Sequence, residues 1–512
     1  MLQTTAVIKK ETDQLSYPTL IVLFLMVLVV FFSFFYFSDQ SIRLDESQSI
    51  WQTSHSPVRI IEIIAQDVHV PLYHLVLHFW EFFFGTNIVV VRLLSLLFFL
   101  ISIPLFYNLA KLSLSKQARL FAVFLFALSP FMNWYGNEAR MYSLFVFLTI
   151  LNQYFFMRIY KDVDEANPLV WTGYFISFFL GIFTHYFFLF YIVVQAVFYL
   201  SYRNIFPKHS FFKFASICLV GGLLLSPWVW YVRKLGIAGR VGPLLFSPSS
   251  ISVFNTFSQF LFGFQNDHIN STLLSLWPIA VLLVFLALRQ NKKVPLDSIY
   301  YFLSFVLPIM LVFLISVFIR PIYLTRYLVF TLPSFYLFLS WVISNYSPKI
   351  SHFLKAFLVF SMLFTLIIEA GSATTTVKEN YREAVEFLNQ NVSSQDLVIV
   401  SAPFTLYPVG YYYNASAPLR TLPIWDRYES GLIPAFSKQE LQNDVSKLKS
   451  GYKTVWVLLS YDQGYESDIN LYFETHFQRV LHRNFSQGLN LYAYKLRYDD
   501  EYLKYTENHP SE

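Results

Sequence analysis

A single cysteine, Cys218, stands among 512 residues, so neither an internal disulfide nor a cysteine-built metal cluster can form. Charge is scarce as well. Asp, Glu, Lys and Arg together make up 13% of the chain, where soluble domains carry about 25%. The formal net charge is only +5 and the Lys and Arg residues collect in short loops, which argues against a nucleic-acid surface. No G-x-G-x-x-G or P-loop pattern occurs between the elements of the C-terminal part, so a nucleotide site has no support there. What fills the chain is apolar: 55% of the residues are hydrophobic and 20% aromatic, with 57 Phe. A soluble fold could not bury that much apolar surface, and the composition predicts a polytopic membrane protein.

Residues 19–37 carry no charge and match the roughly 20 residues needed to cross about 30 Å of hydrocarbon. Lys9 and Lys10 precede them and no small-residue cleavage site follows, so they read as an uncleaved anchor with a cytoplasmic N-terminus. The next long apolar run starts at Ile88. Residues 38–87 between them form a first outer loop, in which Glu46–Thr53, Val58–Gln66 and Pro71–Phe84 are expected to be interfacial helices. Further spans are expected at 88–109, 120–134, 141–158, 169–184, 186–202, 213–231, 271–288, 299–319, 326–346 and 353–371, about eleven in all.

This arrangement puts Lys111, Lys116, Arg119, Arg158 and Lys161 on one side, together with Arg203, Lys208, Lys213, Arg289, Lys292, Lys293, Lys349 and Lys355. That side is the cytoplasmic one by the positive-inside rule. The opposite side receives the first outer loop, residues 135–140, the turn at Thr184–Tyr186, segment 232–270 and Arg320–Arg326. Beyond residue 371 the charges rise. Helical stretches Glu379–Asn391 and Lys438–Lys449 alternate with strand-like Leu397–Ser401 and Thr454–Leu459. The expected organisation is a helical membrane unit over 1–371 and a small α/β extracytoplasmic domain over 372–512.

Most residues able to do chemistry fall on the expected outer side. Asp45 and Glu46 follow the first span directly, where two carboxylates suit either a helix start or a proton acceptor. Asp67, His69 and Tyr73 follow in the same loop, with His74 and His78 one turn apart. That histidine spacing can bind zinc, but there is no H-E-x-x-H frame and no third ligand, and amphipathic packing is the favoured reading. Glu138, Arg140 and Tyr142 lie at the second outer loop; the planar fork of Arg140 suits phosphate, and pairing with Glu138 suits it equally. His185 and Tyr186 occupy a tight outer turn. Arg320 and Arg326 place positive charge outside, against the charge rule, which suggests an anionic partner. The D-x-D sequence at Asp162–Asp164 falls in an expected cytoplasmic turn and reads as solvated loop.

An acidic pair after the first helix, D-x-H-x-P-L-Y, N-E-A-R-M-Y, T-H-Y and R-P-x-Y-x-x-R-Y occur in that order. The series resembles the GT-C membrane glycosyltransferases, in particular the bacterial members of glycosyltransferase family 39, the protein O-mannosyltransferase and aminoarabinose transferase relatives, over about residues 19–346. The resemblance implies a polyprenyl-phosphate-linked sugar as donor and an extracytoplasmic lipid, glycan or protein hydroxyl as acceptor, at the inner (plasma) membrane. It implies Asp45 as catalytic base, with Glu46 beside it. Arg140, Arg326 and His69 would hold the donor phosphate, and Asp67, Tyr73, Glu138, Tyr142, His185, Tyr186 and Arg320 would contact substrate. Where the family commonly shows two prolines after the loop histidine, this chain has His69-Val70-Pro71. No cofactor is implied, and a divalent metal stays an open alternative because Glu138 stands nearest to where some relatives carry an aspartate. The rival class, a transporter or flippase of lipid-linked saccharides, calls for mid-membrane polar groups and an inverted repeat. Neither is evident in the sequence.

Overall fold

Long apolar runs set the helices, and side-chain caps set where several of them start. The computed structural model describes residues 17–38, 40–161, 167–235, 245–265, 267–290, 293–371, 379–427 and 431–496. Lys9, Lys10, Asp162–Asp164 and Lys292 lie outside the described residues. The chain begins with α1 (Tyr17–Ser38), followed by three shorter helices, α2 (Leu44–Thr53), α3 (Pro57–Ala65) and α4 (Leu72–Phe84). Then come α5 (Ile88–Lys111), α6 (Lys116–Leu128), α7 (Pro130–Gly136), α8 (Tyr142–Lys161), α9 (Pro168–Thr184), α10 (Phe188–Ser201) and α11 (Ser210–Leu235). The helical part ends with α12 (Ser250–Phe262), α13 (Asp267–Ser275), α14 (Trp277–Gln290), α15 (Leu296–Phe318), α16 (Leu332–Ser344) and α17 (Pro348–Gly371). Asn87, Ser115 and Asn167 cap α5, α6 and α9 by accepting from the backbone of Val89, Ala118 and Leu169.

The protein is a multi-pass membrane protein. Among the described residues, eight helical segments are long and apolar enough to cross a bilayer. The other three expected spans are shorter. α9 has 17 residues and α10 has 14, so α10 reaches only about 21 Å at 1.5 Å per residue. The expected span at 120–134 is divided: α6 stops at Leu128, and Ser129 caps a new helix that begins with Pro130, a residue with no N–H to continue the ladder. Residues Thr325–Thr331 wind as a tight 3-10 segment ahead of α16, which sets Arg326 at a helix mouth.

α8 measures the distance between the two ends of the bundle, its 20 residues spanning about 30 Å. At its far end Lys161 donates to Asp297 at 2.6 Å and to the Leu112 carbonyl at 2.7 Å, and Tyr160 donates to Asp297 at 2.5 Å. Its near end starts beside Arg140. Mid-bundle polarity is neutral and internally paired: Gln195 donates to Asn152 at 2.8 Å, Tyr174 to Gln195 at 2.7 Å, and Gln153 to Ser334 at 3.0 Å. Paired neutral groups of this kind hold helices together in lipid.

The C-terminal part comprises α18 (Tyr381–Asn391), β1 (Asp396–Ser401), α19 (Leu406–Tyr412), β2 (Leu419–Thr421), α20 (Leu441–Lys449), β3 (Thr454–Leu459), α21 (Glu466–His476), β4 (Gln478–Ser486) and β5 (Leu489–Lys495). They build a five-stranded sheet in the order β2-β1-β3-β5-β4. β1 runs parallel to β2 and β3, and β5 runs antiparallel to β3 and β4. β1 is buried along its whole length, as a central parallel strand covered on both faces must be. Leu397, Ile399, Val455 and Val457 pack toward α20 and α21, while Val398, Val400 and Leu458 pack toward α18.

This sheet unit rests on the first loop. Ile42 N–H donates to the Tyr412 hydroxyl at 2.8 Å, Arg382 donates to Ser41 Oγ at 3.1 Å and to the Gln40 carbonyl at 3.2 Å, and Tyr411 donates to the Thr86 carbonyl at 3.2 Å.

Candidate active site

The site is built around a buried ion pair. Glu46, in the first turn of α2, and Arg92, in the second turn of α5, are both fully buried. Arg92 grips Glu46 with two hydrogen bonds of 2.9 and 2.7 Å, while Glu46 also accepts from the backbone of Arg43 at 2.9 Å and of Ala139 at 3.0 Å. The remaining Arg92 N–H groups donate to the carbonyls of Tyr36, Gln40 and Ser41. One carboxylate therefore ties the start of α2 to α5 and to the loop carrying Glu138 and Arg140. Both oxygens of Glu46 are taken up in this way, and Asp45 is the member of the acidic pair that faces the open side.

Asp45 accepts from Arg326 at 3.0 Å, and both side chains stay partly exposed. Arg140 runs alongside, donating to the Asp45 carbonyl at 3.3 Å, to Ser49 Oγ at 3.1 Å and to His69 Nε2 at 2.7 Å. Since the guanidinium can only donate, His69 accepts through Nε2 and is the neutral tautomer protonated at Nδ1. Burial and the neighbouring Arg140 hold His69 well below its usual range, so it stays neutral. Burial pushes the Asp45 carboxyl up, but the guanidinium groups of Arg326, Arg140 and Arg43 outweigh it and leave it below the usual carboxylate range. Asp45 is thus an ionised carboxylate paired with Arg326, with Arg140 on its backbone carbonyl.

Glu138 is paired with Arg43 at 3.0 Å, and Arg43 stacks over Trp134 at 3.5 Å. Burial nevertheless raises the Glu138 carboxyl to about 7, helped by the negative charges of Asp45 and Glu46 against the pull of Arg43. His185 lies close enough to Arg140 and Arg326 that burial and then these two charges depress it to about 3. Its Nδ1 accepts from Phe187 N–H at 3.1 Å, and its ring stacks on Phe145. Tyr142 is buried with no hydrogen-bond partner for its hydroxyl, and Arg140 Nε and Arg326 Nε are likewise buried without one. Three donors with nothing to donate to, beside a carboxylate, leave room for an anionic oxygen.

The structure thus gathers Asp45, His69, Glu138, Arg140, Tyr142, His185 and Arg326. Two expected residues sit one step back: Asp67 accepts from Gln48 and Gln52 at 3.1 and 2.8 Å and so fixes its loop to α2, and Tyr73 reaches Ser95, which donates to the Arg140 carbonyl. Tyr186 is turned away, accepting from Trp228 at 2.8 Å among the apolar side chains of α3 and α11. Arg320 is exposed past the end of α15. His78 is committed to the Thr53 carbonyl at 2.8 Å. Among the described residues, no group of three His, Cys, Asp or Glu side chains is arranged to hold a metal ion.

Sequence reasoning missed Arg92 and Arg43. Arg92 carried a signal, a charge inside an otherwise apolar run, which in a membrane helix demands a partner.

Residues 68–231 match the family profile of dolichyl-phosphate-mannose-protein mannosyltransferases. Among curated protein sequences none matches significantly. ArnT from Cupriavidus metallidurans in the apo state is similar in structure, with a TM-score of 0.62 and 11% identity, over 94% of this chain and 98% of that one. The chain has the GT-C fold. ArnT bound to undecaprenyl phosphate aligns with a TM-score of 0.58, again at 11% identity, over 92% of this chain and 97% of that one. The GT-C fold thus extends through the sheet unit as well as the membrane helices, and the likeness drawn from the ordered motifs stands.

Proposed function

We infer that the protein is a membrane glycosyltransferase that takes a hexosyl or pentosyl group from a polyprenyl phosphate and passes it to an acceptor hydroxyl. The observation that carries this reading is the ionised Asp45 paired with Arg326, with Arg140 on its backbone carbonyl and unpartnered donors beside it. The profile match to dolichyl-phosphate-mannose-dependent enzymes and the likeness to an ArnT structure holding undecaprenyl phosphate support a lipid-phosphate donor. A transporter finds no comparable support.

The acceptor O–H gives its proton to Asp45 as its oxygen bonds to the anomeric carbon, and the bond from that carbon to the phosphate oxygen breaks with its electron pair leaving on the phosphate. Polyprenyl phosphate is stable as an anion and needs no proton, so one base suffices, unlike the acid and base of glycosidases. Arg140, Arg326 and the Tyr142 hydroxyl receive the developing charge. As Arg326 turns to the donor phosphate, Asp45 loses a stabilising cation and becomes a better base.

Glu46 serves this site by holding α2 in place. The site end of the bundle is the extracytoplasmic side of the inner membrane, in keeping with the lysines and arginines at the other end. The helical unit then carries the donor site, and the sheet unit stands against the loop that bears it.

Membranes holding Asp45→Asn, supplied with labelled polyprenyl-phosphate sugars, should transfer sugar about 10²–10⁴-fold more slowly than the native protein. Arg140→Ala should raise the donor KM. A native rate for Asp45→Asn removes it as base, and lipid-linked sugar crossing vesicles without transfer favours the transporter.

A further inference from the structure

The carboxyl ends of β1 and β3 lie side by side and point to the same end of the sheet, and the chain leaves them in opposite directions. From β1 it passes through α19 to β2 at one edge, and from β3 through α21 to β4 at the other. In open α/β sheets such a divergence leaves a crevice where ligands bind. Here the two strand ends are clamped together, Ser460 N–H donating to the Ser401 carbonyl at 2.7 Å and Ala402 N–H to the Ser460 carbonyl at 2.9 Å. Tyr381, at the start of α18, is hydrogen-bonded to Ser460 Oγ at 2.8 Å.

Three side chains line this crevice and have no part in the chemistry described so far. Tyr461 follows β3 with φ +56, a left-handed conformation that a side chain of this size rarely adopts. It leaves 37% of the residue exposed. Its ring meets Phe404 at 5.8 Å in an edge-on contact, and its hydroxyl is hydrogen-bonded to Glu379. The crevice adjoins the chain segment that leads into α2 and Asp45. Arg382, three residues after Glu379, is tied to Ser41 and Gln40 just ahead of α2.

Arg140 and Arg326 stand on the membrane side, where a leaving phosphate would lie; Glu379 and a tyrosine hydroxyl stand on the sheet side, with the Arg382 guanidinium turned to the Gln40 carbonyl. An inverting displacement brings the acceptor in opposite the leaving group, so the acceptor meets the sheet side. Asp45 facing this side, and Glu379, whose carboxyl burial already raises, disfavour an anionic acceptor. A carboxyl group beside two partly exposed aromatic rings suits a neutral sugar, whose C–H face covers a ring while its hydroxyls hydrogen-bond to the carboxyl group.

We propose that Glu379, Tyr461 and Phe404 form the acceptor subsite and that the acceptor is a neutral carbohydrate. The proposal rests on the glycosyltransferase reading above.

The full-length protein in nanodiscs, given a panel of labelled undecaprenyl-phosphate sugars, would be assayed with a pool of neutral oligosaccharides and with a pool of Ser/Thr peptides. Saturation-transfer NMR would follow oligosaccharide binding without donor. Transfer to oligosaccharide is expected. Phe404→Ala and Glu379→Gln should each raise the acceptor KM about tenfold and weaken the saturation signal to match, with Tyr461→Phe showing a smaller loss. Circular dichroism and gel filtration of each variant establish that it is folded, and Tyr461→Phe, which keeps the ring, serves where the others fail to fold. Equal acceptor KM in native protein and folded variants, or transfer to peptide alone, overturns the proposal. Native protein that releases undecaprenyl phosphate from none of the donors contradicts the glycosyltransferase reading itself, whereas release without oligosaccharide binding contradicts the acceptor proposal only.

Discussion

At the scale of single residues, the site holds two carboxyls pushed in opposite directions. Asp45 lies below the usual carboxylate range, while Glu138 is raised to about 7. Asp45 therefore stays ionised at neutral pH before donor binds, held so against burial chiefly by Arg326 and Arg140. Glu138 changes charge within the working range, and because it belongs to the same cluster its charge opposes an anionic donor. Below pH 7 it is protonated and the opposition is gone, so the donor KM should be lower at pH 6 than at pH 8. The difference should be about two- to fivefold, the size of a partly screened pair interaction of roughly 0.5–1 kcal/mol. Steady-state kinetics of Glu138→Gln should show a donor KM that no longer depends on pH in this window; a native KM that is already flat would contradict the assignment. The stability sign agrees: a carboxyl raised on folding costs the folded state its full penalty above pH 7, and the penalty disappears as the pH falls toward the unfolded value near 4.5.

Between elements, the Glu46–Arg92 pair matters most, since it fixes α2 against α5 and so sets the direction of Asp45. Removing one partner of a buried pair leaves the other charged and uncompensated, and Arg92→Met should cost about 3–5 kcal/mol. Adding Glu46→Leu removes that charge but strands the N–H groups of Arg43 and Ala139, each worth about 1–3 kcal/mol. The double variant should therefore recover only part of the loss in a denaturation series in detergent, and full recovery would show that the backbone contacts to Glu46 contribute little. The same pair marks the limit of what the sequence discloses. Eight spans were legible because each is a long apolar run, and the three short helices within 44–84 were legible from their mixed polarity. Arg92 hid inside one of those runs, where counting apolar length passes over one charge. Asp45 and Arg326 are 281 residues apart, and only the bundle topology, together with loops assigned to one side, brought them onto a common list. Tyr186 and Arg320 shared that side as well, but side does not fix direction, and Trp228 takes Tyr186 away. Glu379 and Tyr461 gave no signal at all, because a strand end becomes a crevice only once the strand order is known.

Across the whole molecule, the sheet unit touches the membrane unit through residues 40–42 and 86, and through α2 itself, where Trp51 meets the Tyr407 ring at 5.2 Å and Arg427 stacks over the Trp51 ring at 5.0 Å. The sheet thereby constrains the approach to α2 from above while Arg92 holds it from below. Tyr412→Phe tests one bond of the upper constraint: it deletes the acceptor of the buried Ile42 N–H, at a cost of about 1–3 kcal/mol, without disturbing the apolar packing of the ring. Amide hydrogen exchange of the full chain in nanodiscs should then speed up across 40–46 while α8, anchored at its far end by Lys161 and Asp297, keeps its native protection. Turnover should fall by roughly tenfold, because a small displacement of a positioned base is amplified in the rate. Unchanged exchange at 40–46 would mean that Glu46 and Arg92, with the remaining sheet contacts to Trp51, Ser41 and Gln40, hold α2 without the Ile42–Tyr412 bond. Faster exchange throughout the bundle would mean that the docking stabilises the entire fold, and the loss of rate could no longer be traced to Asp45.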